Sequence, residues 1–197
     1  MATTDPLPDS TRKAIAVQTH DFLQALTRFK TPAPKAGTRD ATKAAVVTNP
    51  KLAEAFAYCS VSLTAVESPP ADLPTLLEPT GTWLHTIRNG KETTHYALSR
   101  AGSFDPDHHE VLSLVGGPLG QKIDATIKWL DKHDQDDTAI VRILAFPAYY
   151  IHAFGILRGG KAFAVLIDQP ESSGKLEYEK EYPLKEFLTK LAKEPHS

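Results

Sequence analysis

The amino-acid sequence predicts a single α+β domain, a mainly antiparallel sheet of about five or six strands packed with three or four helices on one side. Three observations point there. Apolar residues recur with a helical period near both ends of the chain and once between, at 119–130. The apolar runs of the middle instead alternate with a period of two or are short and continuous. Two tight-turn signals, Asn89-Gly90 and Gly159-Gly160, join neighbouring strand-like runs, which argues for hairpins over repeated βαβ units.

The elements follow in order. Residues 1–9 are polar and contain proline, and are expected to be disordered; the domain is expected to occupy 10–197. Asp9-Ser10-Thr11 supplies N-capping oxygens, and Ile15, Phe22, Leu26 and Phe29 then form one stripe of a helix that runs to about Lys30. Thr31-Pro32-Ala33-Pro34 stops it, and 31–43 reads as an internal linker or long loop. Asn49-Pro50 reads as the start of a short second helix. From Cys59 the period becomes two, with Cys59, Val61, Leu63 and Ala65 on one face of a strand ended by Ser68-Pro69-Pro70. Asn89-Gly90, taken as a two-residue turn, places Trp83 opposite Tyr96 and His85 opposite Thr94.

Residues 101–110 read as a polar loop and Val111–Val115 as a strand. Gly116-Gly117-Pro118 opens a helix with Leu119, Ile123, Ile127 and Leu130 on one face. Three strands follow, over 140–146, 149–157 and 162–167, the last two joined at Gly159-Gly160 so that His152 faces Ile167. A final helix opens at Pro183, with Leu184, Phe187, Leu188 and Leu191 inward.

Formal net charge is −2 and there is no basic stripe, which argues against nucleic acid as a partner. No run of ~18 apolar residues offers a membrane span. Cys59 is the single cysteine, so an intrachain disulfide and a cysteine-based structural zinc site are excluded. The amino terminus lacks the apolar core of a secretory signal. These observations lead us to expect a soluble cytoplasmic protein.

The run from Val141 through Phe146-Pro147-Ala148-Tyr149-Tyr150 to Phe154, with Leu176, Tyr178 and the helix of Glu186-Phe187-Leu188, resembles a segment near the end of various uncharacterised bacterial proteins. The resemblance covers about the last third of the chain. It implies a strand with a Pro-Ala-aromatic step, a hairpin and a closing helix, in a bacterial protein, and it implies no activity. Gly155 stands where that pattern leads one to expect a large aromatic.

Three groups of residues have chemistry to offer. Asp105, Asp107, His108, His109 and Glu110 are the densest set of metal-ligand types, suited to zinc, manganese or iron, but in an extended segment His108 and Glu110 point away from His109. The plainer reading is a solvated loop. Cys59, His152 and Asp168 are the nucleophile, base and orienter of a thiol enzyme if the fold brings them together. The plainer reading is a cysteine buried as a small hydrophobe. His152 stands on an apolar face, as a satisfied core histidine or as a polar fixture in a ligand pocket. On the other face of the same hairpin, Gly155 opposite Ala164 leaves room, either for a helix or for a groove walled by Tyr149, Ile151, Leu157 and Leu166.

No phosphate loop or nucleophile elbow surrounds any of these residues, and no cofactor is expected. The leading expectation is a non-catalytic binding or interaction protein whose partner is another protein or a small apolar ligand. The rival is a small enzyme, a metal-dependent hydrolase using 105–110 or a thiol enzyme using Cys59.

Overall fold

A computed structural model describes residues 9–30, 50–89, 92–101, 109–133 and 138–196. The expectations for residues 1–8 and for the linker at 31–43 fall outside these segments. Among the described residues eight strands form one sheet: β1 (Pro50–Ser60), β2 (Thr82–Asn89), β3 (Glu92–Ala101), β4 (His109–Gly116), β5 (Ile140–Phe146), β6 (Ile151–Arg158), β7 (Lys161–Asp168) and β8 (Glu181–Pro183). Four helices accompany it among the described residues: α1 (Asp9–Lys30), α2 (Leu63–Glu67), α3 (Pro118–His133) and α4 (Leu184–Leu191). The strand order is β4-β3-β2-β1-β5-β6-β7-β8. Neighbours are antiparallel except β1 and β5, where Tyr58, Cys59 and Ser60 pair in parallel with Ile143, Leu144 and Ala145. The α+β class therefore stands, with a sheet larger than the five or six strands expected.

The region from Pro50 to Glu67 reverses the expected order of elements. Residues expected to open a helix form the start of β1, and the expected strand ends at Ser60. The Ser62 side chain then accepts from the Ala65 backbone N–H and caps α2, so the alternation of Leu63 and Ala65 belongs to a helical turn. Lys51-Leu52-Ala53-Glu54-Ala55 is made of good helix formers, but this stretch of β1 pairs with β2, and Tyr58, Cys59 and Ser60 farther along the strand pair with β5. Tertiary pairing overrides a propensity of a few tenths of a kcal/mol per residue, about the usual spread among such residues.

The Gly159-Gly160 turn forms as expected, both glycines at positive φ, with Ile156 opposite Phe163 and Phe154 opposite Val165. The first hairpin does not keep the expected register. Asn89 pairs with Glu92, a shift follows between Ile87 and Arg88, and Trp83 faces Ser99 while His85 faces Ala97. Tyr96 is opposite Thr86 in place of Trp83.

The core lies on both faces of the sheet. On one face Cys59, Leu144, Phe146, Ile151, Ala153 and Leu166 pack under Val66 of α2 and under Leu184, Phe187, Leu188 and Leu191 of α4. On the other, Phe56, Leu84, Ile143, Phe154, Ile156 and Val165 pack under Leu119, Ile123 and Leu130 of α3. The helices thus do not share one side as expected. The chain leaves β4 through α3 and returns to β5 beside β1, and that crossover lays α3 across the face opposite α4.

Gly155 sits on the α2 and α4 face and its groove is filled. Tyr149, Ile151 and Leu166 are buried, and Leu157 packs against them. A Cβ at Gly155 would stand 2.9 Å from Leu144 and from Leu77, the latter on a 3-10 turn over Leu73–Leu77. The small residues therefore admit a segment of the same chain. The turn is held by polar contacts as well: the Arg142 guanidinium donates to the Leu77 carbonyl, and the Cys59 thiol lies 3.5 Å from the carbonyls of Leu77 and Glu78.

A polar cluster at the parallel strand pair

β1 and β5 end side by side, and the chain then leaves β1 toward β2 and β5 toward β6, on opposite sides. In sheets with parallel strands, such a divergence at the carboxyl ends opens room for a ligand. Four elements send polar side chains to this place. Tyr58 stands two residues before the end of β1. His152 stands at the start of β6, paired with Ala145 of β5. Asp168 ends β7, and Lys122 lies in the second turn of α3.

A β-bulge sets the geometry. His152 pairs with Asp168, but the next residue, Ala153, pairs with Leu166, so Ile167 is the extra residue. The expected partner of His152 was Ile167; the bulge replaces it with a carboxylate. Asp168 forms an ion pair with Lys122, which reaches down from α3. The Tyr58 hydroxyl is 3.5 Å from Nε2 of His152, at the long limit of a hydrogen bond, and the ring centroids are 6.3 Å apart. Nδ1 of His152 is buried and meets no partner among the described residues.

The electrostatics follow from this placement. Burial pushes the His152 pKa down, against the pull of Asp168, so the ring is neutral at pH 7. Burial, with Tyr96 beside it, raises the Tyr58 phenol to about 12. Tyr96 of β3 is raised by burial and then by the Asp168 charge. The pKa of Lys122 is raised chiefly by the hydrogen bond that its ammonium donates to Asp168. The cluster is therefore two neutral phenols, a neutral imidazole and an ion pair whose charges offset each other.

Of the thiol-enzyme set, the structure brings His152 and Asp168 together and leaves Cys59 apart. Cys59 is 1% exposed in the core under α2 and α4, while His152 shares the alternate face with Phe154 and Ile156 under α3. The sheet stands between thiol and imidazole. Of the metal candidates, Asp105, Asp107 and His108 lie outside the described residues. His109 points inward, with Nδ1 3.4 Å from the Ser99 hydroxyl, and Glu110 is exposed. Among the described residues no group of three or more His, Cys, Asp or Glu is arranged to hold a metal.

Tyr58, Tyr96 and Lys122 were not singled out from the sequence. Tyr58 and Lys122 reach His152 and Asp168 only through the parallel pairing and the crossover of α3, which no local pattern signals. Among the described residues no helix is long and apolar enough to cross a membrane. No known protein-family model, curated protein or solved structure matches the chain.

Proposed function

We propose that the chain is a non-catalytic binding protein and that its ligand site is the cluster of Tyr58, Tyr96, Lys122, His152 and Asp168. The observation that carries the reading is the convergence of Tyr58, Lys122, His152 and Asp168, all of them partly accessible, at the carboxyl ends of the parallel pair, with Tyr96 of β3 near enough to act on Tyr58. His152 has one ring nitrogen without a hydrogen bond among the described residues, and a buried polar atom of that kind calls for a partner. The ligand class follows from charge. Lys122 and Asp168 offset each other and the rings are neutral, so the ligand is a small neutral molecule with a planar apolar body and a hydrogen-bonding group.

Binding without catalysis is favoured by how Asp168 is used. A base needs an orienting hydrogen bond on its second nitrogen, and here the carboxylate is engaged by Lys122 while Nδ1 of His152 has no partner among the described residues. The test is ligand-observed and histidine-observed NMR with phenol and benzamide as probes. Saturable shifts of the His152 ring signals are expected, with affinity at least tenfold weaker in His152→Phe. If neither probe moves those signals at millimolar concentration, the reading is wrong.

A further inference from the structure

A second place in the molecule, on the opposite face of the sheet, carries its own ligand chemistry. β1 bulges near its start: Leu52 pairs with Ile87 and Ala55 with His85, so Ala53 and Glu54 together stand opposite Thr86. The Thr86 hydroxyl accepts from the Glu54 backbone N–H at 3.0 Å and satisfies the extra residue. Bulges bend a strand and recur beside binding sites. Here the bulge borders a cleft of about 380 Å³ between β1 and α1. That volume lies within the range of small-molecule sites, roughly 300–1,000 Å³.

The cleft is positive at its rim and apolar below. Arg12 and Lys13 of α1 and Lys51 of β1 contribute three cations, against one carboxylate from Glu54. Arg12 and Lys13 lie near the amino-terminal end of α1, where the helix dipole adds positive potential. Leu52, Ala53 and Ala55 line the interior with His85, which is buried and bonded to the Ser99 hydroxyl at 2.8 Å. Arg12 acts on His85 as a like charge, so the positive field reaches the floor.

We propose that this cleft binds a small organic acid, its carboxylate held by Arg12, Lys13 and Lys51 and its apolar body laid against Leu52 and Ala55. An inorganic anion would use the rim and leave the floor uncovered; an organic cation would meet three like charges. The site is separate from the His152 cluster, since His85 and Leu84 alternate along β2 and Leu84 is the residue that faces α3.

Titration of the intact chain with hexanoate, inorganic phosphate and hexylammonium, read by the His85 ring signals in NMR, tests the proposal. Hexanoate is expected to give a saturable shift, tighter than phosphate, with no saturable response to hexylammonium. The double variant Arg12→Gln, Lys51→Gln alters two exposed side chains, and its melting temperature reports that it is folded. It should bind hexanoate at least tenfold more weakly. Phosphate binding as tightly as hexanoate, a matching response to hexylammonium, or unchanged affinity in the folded double variant would each overturn the proposal.

Discussion

His85 is 1% exposed, and burial, with His109 and Arg12 as like charges nearby, lowers its pKa from the ordinary 6.5 to about 4. The folded chain keeps the ring neutral where the unfolded chain would protonate it. Between those two pH values the unfolded state binds the extra proton, so stability is full above about 6.5 and is lost as pH falls toward 4. For a group so deeply buried the whole effect is of order 3 kcal/mol. The urea midpoint should therefore fall steadily from pH 6.5 to 5, before most carboxylates titrate. His85→Gln keeps a hydrogen-bonding group for Ser99 and should flatten much of that slope; His152, shifted in the same direction, adds to it in the wild type. A wild-type midpoint constant over this range would contradict the assignment. Nothing in the sequence around His85 announces this environment, because its neighbours Ser99 and His109 arrive from β3 and β4 and Arg12 from α1.

Among the elements, those defined by local chemistry were legible and those defined by pairing were not. Gly159-Gly160 could be read because both positions need positive φ, and the stripe of α4 because four large apolar residues share one face. β1 could not, because its composition favours a helix and its identity depends on β2 and β5. The register of the first hairpin was missed for a similar reason: Asn89 already pairs with Glu92, outside the register of a two-residue Asn89-Gly90 turn, and an irregularity beside Arg88 moves every partner beyond it by one more. His152 and Asp168 were identified as polar residues of interest, but their pairing depends on the bulge at Ile167. The small-residue strip at Gly155 was legible as space, and the chain's own Leu77 fills it. Gly155→Ala should thus press a methyl group against Leu144 and Leu77 and cost about 1–3 kcal/mol. At roughly 2–4 °C per kcal/mol for a chain of this size, the melting temperature should drop by several degrees. A variant as stable as the parent would mean that the turn at Leu73–Leu77 yields without cost and does not lock this face.

At the scale of the whole molecule, the sheet consists of two four-stranded halves joined by a short seam. β1 and β5 share three parallel pairs, Val61 adds a bond to the Ala145 carbonyl, and α3 spans the join by touching β3 and β7. The halves are not equally covered. β5, β6 and β7 lie between α3 on one face and α2, α4 and the Leu73–Leu77 turn on the other, and Ile143, Leu144, Phe154, Ile156, Val165 and Leu166 have essentially no exposed surface. β4 is an edge strand with Leu112 and Val115 exposed, and in β3 His95, Tyr96 and Leu98 are only half-buried and Arg100 is exposed. Local opening free energy follows buried apolar contact, so the β2–β4 half should open before the β5–β7 half. Native-state hydrogen exchange should show amides of β5–β7 at least tenfold more protected than those of β3 and β4, a gap of about 1.4 kcal/mol or more. Because β1 belongs to both ladders, its amides should divide, those near Tyr58–Ser60 following β5 and those near Leu52 following β2. Uniform protection across all eight strands would show instead that the seam transmits the full stability of the core, and that the sheet opens as one unit.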